Sequence, residues 1–150
     1  MSPAKRYFHV EEANRHVGRL NQLFGDVMQL RGQLKTLYAG LDKAGHAPTN
    51  DATPEDEAAV PDEYKRDRQV FYAMADTLRD CLQAIAATGC VIKDLEIGLV
   101  DWPALHQGRE VWLCWKYGER EVGWWHDVHT GFDGRRPVSE LSVQPAKGEP

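Results

Sequence analysis

The stretch Ile92–Pro137, IKDLEIGLVDWPALHQGREVWLCWKYGEREVGWWHDVHTGFDGRRP, decides the C-terminal half of the fold. It contains all five tryptophans of the chain. Apolar and polar residues alternate along it with the period of two that is typical of β-strands. The predicted strands are 95–100, 110–117 and 121–126, with a tight turn at Gly118–Glu119. The stretch therefore predicts a three-stranded antiparallel β-meander, followed by a Gly-rich loop.

Upstream of this stretch the apolar residues recur every three or four positions, which is the period of an α-helix. From Val10 to Leu41 the pattern is sustained over successive heptads and predicts a long helix. A second amphipathic pattern starts after Asp62, a residue type that caps helix N-termini, and stops at Gly89, a residue type that ends helices. Two helices with matching apolar seams predict a long antiparallel helical hairpin that resembles a coiled coil.

The whole chain is predicted to be a single α+β domain over residues 1–150, with the helical hairpin first and the small meander second. Its predicted segments are a first helix over 9–43, an acidic flexible loop over 44–61, a second helix over 62–89, the β-meander and Gly-rich loop over 90–136, and a tail over 137–150.

Charge and composition argue against several classes of function. The net charge is −5 and only the first helix is basic, so a nucleic-acid partner is not expected. No run of about 18 apolar residues exists to span a membrane, and the N-terminus lacks a hydrophobic signal core. The three cysteines show no CxxC spacing and lie in apolar contexts, which predicts buried free thiols in the cytoplasm.

The first helix carries more apolar surface than one partner helix can cover. Besides its main seam it has a second apolar line at Leu23, Leu30 and Leu37. Either a second copy of the hairpin covers this line, which gives a homodimer with a four-helix bundle, or the sheet of the same chain covers it in a monomer. The homodimer through the helical hairpin is the favoured prediction.

Separate blocks of the chain carry one family signature. The opening Tyr7–Asn14, YFHVEEAN, is similar to a YFxxEEAN start, and Ile92–Pro103 is similar to a KDxExGLVDFP block. Leu113–Arg135 follows an LCWxxGE…WHxxxxGxxGR pattern. Together these blocks resemble the prokaryotic domain-of-unknown-function family 2203 over nearly the whole chain, apart from the acidic loop and the tail. The chain departs from the pattern at His9, where the family usually has a helix-capping Thr, and at Trp102, where it has Phe. The resemblance implies no particular activity.

Polar side chains are more frequent in the quoted stretch than strands require. The set is Asp94, Glu96, Asp101, Glu119, His126, His129 and Arg135. Strand alternation puts Asp94 and Glu96 on one face, and His126 of the third strand can lie across it. These three residues are candidate ligands for a divalent metal ion, or could perform acid–base chemistry on a substrate. The same pattern also suits a solvated sheet face without chemistry.

Two further kinds of chemistry are weighed in the same stretch. Cys114 lies between Leu113 and Trp115 in a strand interior, where a thiol is normally inert, so nucleophilic catalysis is not expected. The loop over 131–136 could hold an anion on its backbone amides and Arg135, although such loops are also common without a ligand.

Aromatic residues on neighbouring strands indicate a second kind of site. The candidate recognition surface consists of Trp112, Trp115, Trp124 and Trp125 together with Arg109 and Arg136. These rings must occupy both faces of the sheet, and the helices can cover only one. The other face either contacts a protein partner or is covered by the loops and the tail.

The sequence therefore favours a small cytoplasmic interaction or assembly module that is not an enzyme, needs no cofactor and has a protein partner that the sequence does not identify. The alternative is a small metal-dependent enzyme or ligand-binding protein that uses Asp94, Glu96, Asp101 and His126.

Overall fold

The computed structural model describes residues 5–141, which form an α+β protein. In chain order its elements are α1 (Val10–Asn14), α2 (Val17–Lys43), α3 (Pro54–Ala58), α4 (Asp62–Ala86), β1 (Val91–Asp94), β2 (Leu99–His106), β3 (Arg109–Lys116), β4 (Trp124–Asp127) and β5 (Arg136–Pro137). Short 3-10 turns at Phe132–Gly134 and Val138–Glu140 flank β5. None of the helices in this part of the chain is long and apolar enough to cross a membrane.

The chain divides into two compact units, each with its own set of contacts. The sheet unit comprises residues 1–24 and 84–150, of which 5–24 and 84–141 are described. The helical unit comprises residues 25–83. The long helices α2 and α4 each extend from one unit into the other.

Within the helical unit α2 and α4 run antiparallel, as the predicted hairpin requires. The rings of Tyr38 and Phe71 lie 6.2 Å apart, and those of His46 and Tyr64 lie 4.8 Å apart. The residue number rises from Tyr38 to His46 on one side while it falls from Phe71 to Tyr64 on the other, as antiparallel packing requires. The predicted second helix over 62–89 is confirmed, although it ends at Ala86.

The acidic segment over 44–61, predicted to be a loop, contains the short helix α3. Thr53 caps it, since its hydroxyl accepts the Asp56 N–H at 3.1 Å while the Asp56 carboxylate accepts the Thr53 N–H at 3.0 Å. From α3, Glu57 forms an ion pair with Arg68 of α4, whose guanidinium is almost fully buried. Local capping and one ion pair therefore order a segment whose composition alone suggested only loop.

The predicted first helix over 9–43 is interrupted at Arg15 and His16. The His16 N–H donates to Ala13 O at 3.0 Å, which is a 3-10-type bond, before regular α-helix resumes in α2. At the break the side chain of Asn14 accepts the Val122 N–H at 2.7 Å. The prediction of one continuous helix is wrong here because this tertiary bond leaves no trace in the heptad pattern.

The sheet has five antiparallel strands in the order β1-β2-β3-β4-β5, so the prediction of three strands is too few. The first error lies at residues 95–98, which form a turn instead of a strand. There the Asp94 carboxylate accepts the N–H groups of Glu96 at 3.0 Å and Ile97 at 3.4 Å. An Asp side chain that satisfies the backbone in this way favours a turn over a strand.

The strand β2 then runs on past Trp102 and Pro103, where the sequence had predicted that it ends. Beyond Asp101 β2 pairs with β3 and no longer with β1, so Pro103 lies at an edge where a missing N–H is tolerated. The Pro103 carbonyl accepts the Phe8 N–H at 2.8 Å. The hairpin to β3 turns on Gln107 and Gly108, with φ of 53° and 76°. Two successive positive φ values define the twisted two-residue turn that joins antiparallel strands.

The last strands also differ from the prediction in their limits. The predicted strand over 121–126 is β4, which begins only at Trp124, and the short β5 pairs with it through Pro137 and Arg136. The predicted tail over 137–150 thus starts inside the sheet, and its residues 142–150 lie outside the described part of the chain.

Strand register divides the sheet into two faces with different roles. The inner face consists of Val100, Trp102 and Ala104 of β2, Val111, Leu113 and Trp115 of β3, and Trp125 of β4, all buried. Within the sheet unit, the Trp115 ring lies 6.1 Å from that of Phe24, and the Trp102 indole N–H donates to Thr88 O at 3.4 Å. The outer face consists of Leu99, Asp101 and Pro103 of β2, Trp112 and Cys114 of β3, and Trp124 and His126 of β4.

Candidate functional site

Three chemically active side chains meet on the outer face of the sheet. Asp101 of β2 is the direct cross-strand partner of Cys114 of β3. His126 of β4 pairs with Trp112, two residues from Cys114, and so points to the same face. Asp101, Cys114 and His126 are 2%, 0% and 4% exposed, respectively. Their ligand atoms all lie within 4.8 Å of one another, and we call them the buried trio.

Both ring nitrogens of His126 are engaged. Nδ1 lies 2.8 Å from the backbone carbonyl oxygen of Asp127, and Nε2 lies 2.8 Å from Oδ2 of Asp101. Because a carbonyl oxygen only accepts, Nδ1 must carry a hydrogen. Nε2 therefore faces Asp101, with one proton shared between the imidazole and the carboxylate. Burial opposes the charged imidazolium, but the hydrogen bonds to Asp101 and the Asp127 carbonyl outweigh it and raise the pKa of His126.

The thiol of Cys114 is neutral in this setting. Burial, reinforced by the negative charge of Asp101, raises its pKa far above the ordinary value. A nucleophilic cysteine needs a base or a cation that lowers its pKa. Here the hydrogen bonds of His126 go to Asp101 and the Asp127 carbonyl, so the imidazole is not arranged to deprotonate Cys114. This arrangement does not support a cysteine nucleophile.

The Asp101 carboxylate uses only one of its oxygens for a hydrogen bond. Oδ2 accepts from His126, while Oδ1 is fully buried and has no hydrogen-bond partner among the described residues. Lys93 approaches from the solvent side, with Nζ 4.0 Å from Oδ2 and 4.1 Å from the centroid of the Trp112 ring. A buried carboxylate oxygen without a partner is costly unless something binds it.

Glu119 and Arg135 form a second polar pair of the sheet unit. Nη2 of Arg135 donates to both carboxylate oxygens of Glu119 at 2.8 Å, and the Lys116 N–H donates to the same carboxylate at 2.7 Å. The Arg135 guanidinium also stacks 5.0 Å from the Trp124 ring and 4.7 Å from the Phe132 ring. Arg135, which the sequence offered to an anion, is thus engaged with Glu119 and two aromatic rings.

The remaining members of the predicted polar set lie elsewhere. Asp94 ends β1 and its carboxylate stabilises the turn that follows, Glu96 is exposed in that turn, and His129 is exposed in the turn after β4. Glu96 is not in a strand, so the alternation that placed it opposite His126 does not hold. Of the predicted set, the structure brings together Asp101 with His126 and, separately, Glu119 with Arg135.

The tryptophans of the predicted recognition surface are divided between the two faces. Trp115 and Trp125 are fully buried in the inner face, while Trp112 and Trp124 lie on the outer face. Trp112 is covered by Lys93 and by Lys5, whose Nζ lies 5.5 Å from the ring centroid. Trp124 remains 37% exposed. Among the described residues, the aromatic surface that this sheet offers to solvent is therefore smaller than the number of rings suggests.

The two arginines of that surface are also engaged. Arg109 donates to the Asp127 carboxylate at 2.9 Å. Arg136 pairs with Glu140 at 2.7 Å and stacks 5.1 Å from the Trp125 ring.

The sequence did not indicate Cys114 and Lys93 as parts of the site. Alternation along β3 already put Cys114 on the same face as Trp112, but the start of the preceding strand was misplaced. With β2 starting at Leu99, the hairpin turn at Gln107 and Gly108 sets the register that pairs Asp101 with Cys114. A positive-φ turn at Gln-Gly was the signal that could have found this pairing.

A protein-family model matches most of the chain. The model of a family described as "Uncharacterized conserved protein (DUF2203)" matches residues 6–138, which include the buried trio. No curated protein and no solved structure matches the chain.

Proposed function

The chain belongs to the family of uncharacterized conserved proteins DUF2203, and we propose that it binds a divalent transition-metal ion such as Zn²⁺ through Asp101, Cys114 and His126. One observation carries this proposal: the His126 Nδ1–H donates to the Asp127 carbonyl, which aims Nε2 at the other two potential ligands. A histidine that binds a metal through one nitrogen usually donates the other N–H to a carbonyl or a carboxylate.

The type of donor atoms favours a particular class of metal. The buried trio offers one thiolate sulfur, one imidazole nitrogen and one carboxylate oxygen. Ca²⁺ and Mg²⁺ prefer sites made entirely of oxygen, whereas Zn²⁺ accepts sulfur, nitrogen and oxygen together. Three protein ligands would leave a fourth position for water or a substrate, as in catalytic zinc sites. This supports the metal-dependent class of function, with Cys114 in place of Asp94 and Glu96.

The protons held in the site determine how metal binding would depend on pH. A divalent ion would replace two protons, the thiol proton of Cys114 and the proton shared between His126 and Asp101. It would thus compensate the two buried negative charges that this removal creates. We expect about two protons to be released for each ion bound at neutral pH, measurable in weakly buffered solution.

The proposal is tested by titrating the purified, metal-free protein with Zn²⁺ in competition with a chromophoric chelator, and with Co²⁺ followed by absorption. We expect one ion per chain and a thiolate-to-cobalt charge-transfer band. Asp101→Asn, Cys114→Ser and His126→Gln should each weaken binding by about 10- to 100-fold or more.

Cys81→Ser is the matched control, because Cys81 is a half-buried cysteine that lies outside the trio. It should leave both the affinity and the cobalt band unchanged. Circular dichroism of each variant separates loss of the site from loss of the fold. Stoichiometric binding that survives Cys114→Ser with an unchanged cobalt spectrum would place the metal elsewhere and refute the proposal.

A further inference from the structure

Beyond metal binding, we propose that the helical unit, residues 25–83, is the interface of a homodimer in which the helix pairs of two chains pack as a four-helix bundle. The proposal rests on the surface of α2 and α4 within this unit. It is independent of the buried trio, which belongs to the sheet unit.

An open groove runs between the two helices of the helical unit. Its volume is about 580 Å³. The lining residues are Met28, Gln29, Gly32, Gln33, Thr36, Leu37 and Met74, none of which is charged. Gly32 has open space where a Cβ would point, so another backbone could approach it closely. An uncharged groove with methionines, leucine and glycine is a surface that a second apolar helix can fill.

The core inside the helical unit is small for its length. Its buried apolar residues are Val27, Leu41 and Val60. The apolar positions that the sequence predicted to pack are only half-buried. They are Leu34 of the main seam and Leu37 of the second apolar line in α2, and Phe71, Met74 and Leu78 in α4. Helix pairs of this length gain most of their stability from tertiary packing of the apolar face, so a half-buried seam favours a further layer of helix.

A second copy of the same chain is the occupant that fits this surface. In a two-fold dimer the same patch is present on both sides, so an uncharged groove of apolar and neutral polar side chains meets its own copy without charge repulsion. Within the unit, the segments of α2 and α4 are each about 30 Å long, and the two helices side by side are about 20 Å wide. One face of the helix pair therefore has an area of about 600 Å². Two chains would bury about 1,200 Å², which reaches the lower limit of stable protein interfaces.

Gly32→Glu tests the interface without weakening the helix. A glutamate is a better helix former than glycine by about 1 kcal/mol, and nothing within 4 Å obstructs its Cβ. In the proposed dimer it would place a charge inside the apolar groove. Gly18→Glu is the matched control, since Gly18 lies in the same helix with equally open space but outside the helical unit.

Sedimentation equilibrium and light scattering over a wide concentration range measure the outcome. We expect a wild-type dimer, a Gly18→Glu dimer, and a Gly32→Glu chain whose dissociation constant is at least about 100-fold higher with unchanged helical content. Repeating the measurement with a chelator should leave the dimer intact, which separates this proposal from a metal-bridged assembly.

Several results would overturn the proposal. A wild-type monomer at every concentration would remove the dimer, and a dimer that Gly32→Glu leaves unchanged would place the interface elsewhere. If the wild-type chain is a monomer that binds an apolar dye, and Gly32→Glu abolishes dye binding, the groove would instead be the binding site of a small apolar ligand. Loss of the dimer on chelation would shift the assembly to the metal.

Discussion

At the scale of single residues, the neighbour of each titratable atom decides what it can do. The Cys114 thiol has two obvious activators close by, a histidine and a carboxylate, yet these two groups bind each other at 2.8 Å. Burial then raises the pKa of the thiol instead of lowering it. The same three side chains that make a poor nucleophilic site make a suitable set of metal ligands, because a cation would stabilise the thiolate that burial disfavours.

Lys93 is the cation that a metal at this site would have to tolerate. Its Nζ lies 4.0 Å from the Asp101 carboxylate, and its side chain is partly exposed. Lys93→Gln removes a positive charge from the neighbourhood, so we expect Zn²⁺ to bind about 5-fold more tightly, or about 1 kcal/mol after allowance for solvent screening. Competition titration with a chelator measures the change.

Lys5→Gln is the control for this prediction. Lys5 lies over the same Trp112 ring but pairs with Glu110. It should leave the Zn²⁺ affinity unchanged. If both substitutions change the Zn²⁺ affinity equally, the cause is the net charge of the protein. If Lys93→Gln weakens Zn²⁺ binding, Lys93 supports the metal site and does not compete with the ion.

At the scale of elements, the end of α4 shows how one backbone position joins two segments. Gly89 has a φ of +92°, and a Cβ there would lie 2.3 Å from the ring of Phe8 in the extended N-terminal segment. Glycine is needed twice, for the left-handed backbone that ends the helix and for the close approach of the ring. The sequence predicted the first role but not the second.

Gly89→Ala should therefore destabilise the protein by about 2–4 kcal/mol, the sum of backbone strain and displacement of a buried aromatic ring. Gly118→Ala is the matched control, because Gly118 has a similar φ of +96° and nothing within 4 Å of its Cβ position. It should cost only about 1 kcal/mol. Denaturation by urea measures both, and equal losses would show that the Phe8 ring moves aside freely.

The elements also show where local patterns succeed. Helical periodicity located α2 and α4 because the period reports which face is buried, whatever the partner of that face is. The strand pattern failed at residues 95–98 because Asp94 satisfies two backbone N–H groups of the turn, and side-chain capping competes with strand pairing. The break at Arg15 and His16 was missed for a similar reason, since the Asn14 bond to Val122 is a long-range contact.

At the scale of the whole molecule, metal binding should appear as thermal stability. A ligand that binds only the folded state stabilises it by about 2.7 kcal/mol at a free concentration 100 times its Kd. For a chain of this size we expect Zn²⁺ to raise the Tm by about 5–10 °C. Thermal melts with Zn²⁺ and with a chelator measure the shift, which the chelator should reverse.

Asp101→Asn provides the comparison for this prediction. At the same free Zn²⁺ concentration this variant should show about half the rise in Tm of the wild-type chain or less, because loss of one ligand of the buried trio weakens binding. A Zn²⁺-dependent rise in Asp101→Asn equal to that of the wild-type chain would mean that the stabilising ion binds outside the trio.

The sequence by itself determined the α+β class, the two long helices, the presence of an antiparallel sheet and, through its motifs, membership of the DUF2203 family. It also identified Asp101 and His126 as candidates, since both are polar residues in a stretch of strands. Only the tertiary structure decided that these two residues, 25 positions apart, share a proton and that Cys114 lies beside them. The physical reason is register: side chains alternate along a strand, so one turn residue more or less would move Asp101 or Cys114 to the opposite face. The hairpin with positive φ at Gln107 and Gly108 sets the register of Asp101 and Cys114, and hydrophobic periodicity does not report such a turn.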